Sequence, residues 1–149
     1  MDMNASKLSD RGFSTLETPM VSEAQPAAIA AFRDAGDRLA LYPDGGAVSL
    51  REAIGKAEGL DPARIVCGAG SDEILSLLCL AYAGPGDEVM HSAHGFLMYR
   101  LSALSVGAEP VSIPEVDLTA DIDAMIAAAN EKTKIVFLAN PNNPTGTML

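Results

Sequence analysis

The chain has 149 residues, 48% of them hydrophobic and 20% charged, which suits one ordinary domain and excludes disorder as the default state. Its 20 acidic residues against 10 basic ones leave a net charge of −10, a surface that repels nucleic acid and anionic membrane and so excludes both as partners. The acidity is spread along the chain rather than gathered in a tail, which makes it a solubility feature. Residues 1–25 read as an irregular N-terminal arm, polar and without a signal-peptide core. Pro26 then opens an Ala-rich helix, a residue suited to a first helical turn. Asp44-Gly45-Gly46 is a turn, and a second helix follows over about 48–57, with Leu50, Ile54 and Ala57 sharing one face.

From there strands and helices alternate. Strands are predicted at 64–67, 88–91, 110–113 and 134–138, and helices at 71–82, about 96–106 and 121–129. Gly84-Pro85-Gly86-Asp87, Gly107-Ala108 and Asn130-Glu131 supply the turns between them. Helices long enough to cross over imply a mostly parallel sheet covered on both faces, so the fold class is α/β, with residues 26–149 as its domain. Cys67 and Cys79 have neither CxxC nor zinc spacing and read as buried free thiols. No segment approaches the roughly 18 apolar residues of a membrane span, and a cytoplasmic location is the expectation.

Three segments could carry chemistry, each at the carboxyl end of a predicted strand, where open α/β sheets place ligands. Cys67-Gly68-Ala69-Gly70-Ser71-Asp72-Glu73 offers glycines and the N–H groups of a helix start, an anion site; it reads equally as an N-cap with dipole-favoured acids. The acidic pair disfavours a phosphate unless it is turned away or paired. In His94-Gly95-Phe96-Leu97-Met98-Tyr99 the two rings lie at i, i+3, for core packing or for a flat ligand. His91 and His94 lack a matched nucleophile or metal spacing. Asn140-Pro141-Asn142-Asn143-Pro144-Thr145-Gly146 is stiffened by two prolines, so the Asn143 amide is held where it could meet a phenolate oxygen.

Together with Leu41-Tyr42-Pro43-Asp44-Gly45, these segments resemble, in order, the fold-type I PLP-dependent aminotransferases of class I/II, from about Glu17 onward. The Tyr-Pro-Asp-Gly and His-Gly-Phe stretches narrow the resemblance toward the histidinol-phosphate branch. The resemblance implies a three-layer α/β/α large domain, here incomplete, and pyridoxal 5′-phosphate as cofactor. It implies that Asn143 bonds the pyridoxal 3′ oxygen, Phe96 stacks on the pyridine ring, and the backbone of Gly70, Ser71 and Asp72 holds the phosphate. Tyr42 is implied to reach the cofactor phosphate of a neighbouring subunit, in a homodimer. The implied reaction exchanges an amino group between L-histidinol phosphate and 2-oxoglutarate, that is, between a small amino donor and a 2-oxo acid, in histidine biosynthesis. An aromatic amino-acid aminotransferase and a PLP-dependent decarboxylase of a phosphorylated amino acid use the same parts.

The chain also departs from the family pattern. Leu16-Glu17-Thr18-Pro19-Met20-Val21 lacks the usual Asn and Gly of the arm, and Ala69 stands where Asn is common. The Schiff-base lysine, the acid for the pyridinium nitrogen and the arginine for the substrate carboxylate lie downstream of the Asn-Pro-Thr-Gly loop in this family. Lys7, Lys56, Lys132 and Lys134 match none of these contexts, so no catalytic residue is expected here and the chain alone is expected not to transaminate. The expectation is therefore an N-terminal fragment, in which the last three strands adjoin and the first lies apart across missing strands. Two other classes of reading are a complete phosphate-binding α/β module without catalysis and an inactive gene remnant.

Overall fold

The computed structural model describes residues 26–149, and the expected arm lies outside them. The chain divides into two compact units, Met1–Gly45 and Gly46–Leu149. In the first, helix α1 (Pro26–Asp34) carries the predicted proline at its start and leads into a 3-10 turn, Gly36–Arg38, with no buried residue in either. Tyr42 in this unit is 96% exposed.

The second unit contains helices α2 (Val48–Glu58), α3 (Gly70–Tyr82), α4 (Leu97–Ser105) and α5 (Ile122–Ala128). Its strands are β1 (Glu88–Ser92), β2 (Glu109–Ile113), β3 (Glu115–Val116), β4 (Thr119–Ala120) and β5 (Thr133–Phe137). β1, β2 and β5 form a parallel sheet in the order β2-β1-β5, with α4 and α5 as the crossovers. Strand β1 is central and almost wholly buried, so its alternate residues enter opposite cores. Val89 packs with Cys79 of α3, Tyr99 and Ala103 of α4, Ala108, and Phe137 of β5. Met90 packs on the other face with Ile113 of β2 and Met125 of α5. Two helical layers around one sheet make the three-layer α/β architecture.

The helices and three of the four strands stand within a residue or two of their predicted positions. The strand expected at 64–67 is absent. Arg64 closes a 3-10 turn, Pro62–Arg64, whose entry is capped by the Asp61 carboxylate accepting the Ala63 N–H at 2.9 Å. Ile65 has extended dihedrals (φ −105°, ψ 129°), yet no described strand pairs with it, and Val66 is 77% exposed. Extended backbone is a local property and a strand is a paired one. As expected, the last three long strands adjoin while this segment stands apart from them. Of the two cysteines, Cys79 is buried and Cys67 only half-buried; both are free thiols, and burial pushes the Cys79 thiol above its ordinary value.

Candidate functional site

Because β1 and β5 are adjacent and parallel, the turns that follow them leave the same edge of the sheet. Helix α3 feeds β1 through the short turn 83–87 and packs on the same face through Leu75 and Cys79. It therefore runs back against β1 and brings its N-terminus toward that edge.

The α3 start is built on Gly70, which has φ +78° and nothing within 4 Å of where a Cβ would stand. No side chain caps the helix at the N-cap position, Ala69. Instead Glu73 reaches back, its Oε2 accepting the Ala69 N–H at 2.6 Å. One of the two acids is thus turned onto the loop and away from the helix mouth. Among the described residues no acceptor is recorded for the Ser71 and Asp72 N–H groups, which lie in the turn that a helix leaves unpaired. The start carries the positive end of the helix dipole. An open cavity of about 430 Å³ adjoins it, lined by Leu50 and Ile54 of α2 and by Gly68, Gly70, Ser71 and Ile74.

After β1 the chain turns tightly. The Gly95 N–H donates to the Ser92 carbonyl at 3.0 Å, and a Cβ on Gly95 would stand 3.0 Å from that oxygen and 3.2 Å from the Tyr99 ring. A side chain there would force these neighbours to give by a few tenths of an ångström, which favours glycine. The turn delivers Phe96 to the N-cap of α4, half-buried, edge-on to Tyr99 with centroids 5.9 Å apart. Tyr99 is stacked on Phe137 at 5.0 Å and 8% exposed, so it is core, and burial raises its phenol's pKa. Phe96 combines both readings: one edge packs on the core, and part of the side chain is open.

His91 sits inside β1, its Nδ1–H donating to the Ser92 carbonyl at 2.9 Å while its buried Nε2 has no partner. His94 lies at the turn, with its side chain 61% exposed. Its Nδ1–H and its backbone N–H both donate to Glu115, at 2.8 and 3.0 Å. The Glu115 side chain is only 2% exposed. Burial alone would raise its pKa, but the bonds from His94 and from the Ser92 side chain outweigh that and hold the carboxyl below its ordinary range.

The loop after β5 is closed by Asn142 rather than Asn143. Asn142 is 6% exposed, its N–H donates to the Thr147 carbonyl at 2.8 Å, and its own carbonyl accepts from Gly146 at 2.8 Å. Its Nδ2 donates to Thr145 Oγ1 at 2.9 Å and to the His94 carbonyl at 3.4 Å. Turn capping by asparagine thus belongs to Asn142, while Asn143, between the two prolines, is exposed. The structure joins the Phe96 turn and the Asn143 loop directly. The Gly70–Asp72 backbone reaches neither through any hydrogen bond of the described residues, and Tyr42 belongs to the other unit. The sequence reading gave no role to Glu115, Asn142, Thr145 and Thr147, because the contacts that tie them to the Phe96 turn and the hairpin come from 21 to 48 residues away.

A model of the aminotransferase class I and II family matches residues 7–149. The histidinol-phosphate aminotransferase of Rhodospirillum rubrum is 70% identical over 108 residues, which are 72% of this chain and 29% of that protein. That of Paramagnetospirillum magneticum is 63% identical over 124 residues, 83% of this chain and 34% of that protein. The chain thus spans about a third of the length of the curated relatives it matches. Among solved structures, the histidinol-phosphate aminotransferase of Sinorhizobium meliloti in complex with pyridoxal-5′-phosphate superimposes with a TM-score of 0.77 at 28% identity, covering 83% of this chain and 34% of that one. The alanine aminotransferase of Pyrococcus furiosus gives 0.78 at 25% identity, covering 96% and 41%. The motifs, the parallel sheet with the Phe96 turn and the Asn143 loop at its carboxyl edge, and the family match agree: the chain belongs to the aminotransferase class I and II family.

Proposed function

We propose that this segment supplies one side of a pyridoxal-phosphate cradle in a histidinol-phosphate aminotransferase, and that the whole protein passes an amino group from L-histidinol phosphate to a 2-oxo acid such as 2-oxoglutarate. The observation that carries the reading is the placement of an exposed, proline-braced Asn143 loop beside a half-open Phe96 at one sheet edge. The residues fit the cofactor. The Ser71 and Asp72 N–H groups and the Ser71 hydroxyl suit its phosphate dianion, next to a glycine that leaves the approach open. The Asn143 amide would donate to the ring oxygen, and Phe96 would cover a ring face and exclude water. When bound, pyridoxal phosphate supplies the electron sink for chemistry at the substrate α-carbon.

The identity of 53–70% to histidinol-phosphate aminotransferases supports the substrate assignment. Tyr42, 96% exposed, is free to meet a neighbouring subunit in a homodimer, where it would reach the partner's cofactor phosphate. Among the described residues no helix is long and apolar enough to cross a membrane, and a cytoplasmic location is part of the same proposal. The test joins this chain to the remaining two thirds or so of the Rhodospirillum rubrum relative. Amino transfer from L-histidinol phosphate to 2-oxoglutarate is assayed in the resulting chimaera. Activity that Asn143→Ala or Phe96→Ala abolishes is the expected result. A folded chimaera that retains no pyridoxal phosphate would sink the proposal.

A further inference from the structure

A closed circuit of hydrogen bonds runs through the β3–β4 hairpin. A carboxylate only accepts, so both contacts from His94 to Glu115 are donations, and the nearly buried Glu115 pins the turn that ends in Phe96. At the other end of the hairpin the Leu118 carbonyl accepts from Thr147 Oγ1 at 2.6 Å. Each threonine hydroxyl has one proton, which fixes the direction of the remaining contacts. Thr147 gives its proton to Leu118 in the shorter bond, so Thr145 Oγ1 donates to Thr147 Oγ1 at 2.8 Å, with a longer contact of its own to the Leu118 carbonyl at 3.4 Å. Thr145 in turn accepts from Asn142 Nδ2 at 2.9 Å, and Asn142 closes the circuit on the His94 carbonyl at 3.4 Å. The hairpin lies between β2 and α5, outside the three motif segments, yet it touches both loops of the cradle.

We propose that Glu115 is a positioning residue: through the β3–β4 hairpin it fixes the Phe96 turn and the Asn143 loop in one mutual arrangement, so the two ring-contacting residues are set together. The inference rests on the cradle reading for its purpose, but the mechanical coupling stands without any cofactor. A hairpin that merely filled space would give each loop its own independent anchor. The circuit predicts instead that a cut on one side loosens the other.

The test measures amide hydrogen exchange in the chimaera, without added cofactor. Glu115→Gln replaces an acceptor oxygen with a donor, and Thr147→Val removes the short bond to the Leu118 carbonyl at similar size, leaving only the 3.4 Å contact from Thr145. The expected result is roughly tenfold faster exchange at the Asn142 and Gly146 amides in Glu115→Gln. Faster exchange at the His94 and Gly95 amides is expected in Thr147→Val, and near wild-type behaviour in Thr147→Ser. Changes confined to the loop that each side chain itself touches would overturn the coupling. If Glu115→Gln does not fold, Thr147→Val decides the matter alone. Pyridoxal phosphate titration of the same variants separates the two readings. Retention by wild type that weakens about tenfold in both variants supports the positioning role, and unchanged affinity in both overturns it. No retention by wild type overturns the cradle while leaving the exchange result to stand.

Discussion

Two adjacent asparagines with opposite surroundings divide the labour of the terminal loop. Asn142 is buried and its amide is used twice within the protein, whereas Asn143 is exposed beyond it. Replacing each by alanine should therefore fail in different ways. Asn143→Ala is expected to leave thermal stability within about 0.5 kcal/mol of wild type, as exposed substitutions do, while pyridoxal phosphate retention in the chimaera falls roughly ten- to a hundredfold. Asn142→Ala is expected to cost about 1–3 kcal/mol in stability, because it strands the partners of a buried amide. Paired melting curves and cofactor titrations of the chimaera check both, and an unstable Asn143→Ala would exchange the two roles. Glu115 gives a pH signature. Its folded pKa is depressed below the ordinary value of 4.5, despite the opposing effect of burial. Its stabilising contribution is therefore whole above that value and is lost as pH falls through the lower, folded one. In the chimaera, the melting-point gap between wild type and Glu115→Gln should narrow as pH drops from about 5 toward about 3. A gap that widens in acid would contradict the assignment.

Among the described elements, the β3–β4 hairpin and the α2 start, at Ala47 (φ 45°), are the ones that hold non-glycine residues at positive φ. Asp117 and Leu118 both have positive φ, 49° and 61°, as a primed two-residue turn requires. Asp tolerates this conformation, but Leu pays about 1–2 kcal/mol for it. Leu118 is 49% exposed, so Leu118→Gly should raise stability by roughly 0.5–1 kcal/mol, the relief being partly offset by glycine's greater unfolded-state freedom. A chimaera melting point lower than wild type would show that the leucine side chain matters more than its backbone. The hairpin was illegible in the sequence for the same reason: the Thr147 bond to the Leu118 carbonyl comes from 29 residues away. The strand expected at 64–67 failed through the same dependence on distant residues, since its β-branched residues give extended backbone without a partner. What was legible depended on nearest neighbours. The period of Leu50 and Ile54, the turn residues at 84–87, and the glycines before Ser71 placed α2, the α3–β1 connection and the α3 start to within a residue or two. For the site, the motif residues were legible as candidates, and the hydrogen bonds that hold them were not.

On the scale of the second unit, the three-stranded sheet has two free edges, β2 and β5, and its cores are small. Only nine hydrophobic residues among those described are buried, against many large apolar side chains at the surface, including Val66 at 77%, Leu80 at 71% and Ile126 at 68%. A parallel sheet of three strands normally has both faces covered and its edges protected, because unpaired N–H and C=O groups recruit other chains. Fully burying one such aliphatic side chain gains about 1.5–3 kcal/mol, and a domain has only about 5–15 kcal/mol of net stability. Three or four exposed residues of this kind therefore amount to most of a domain's margin. The 149-residue chain by itself is expected to melt without a sharp cooperative transition and to scatter light on heating, at micromolar concentration and neutral pH. The net charge of −10 opposes association through repulsion, so raising the salt concentration should hasten the scattering by screening that charge. Joining the chain to the remaining two thirds or so of a relative should restore a cooperative transition if the missing margin is supplied by apolar contacts to the exposed residues. The decisive measurement is calorimetry with sedimentation on the isolated chain. A monomer that unfolds in one cooperative step would show that the two small cores suffice and that the exposed apolar residues cost it little.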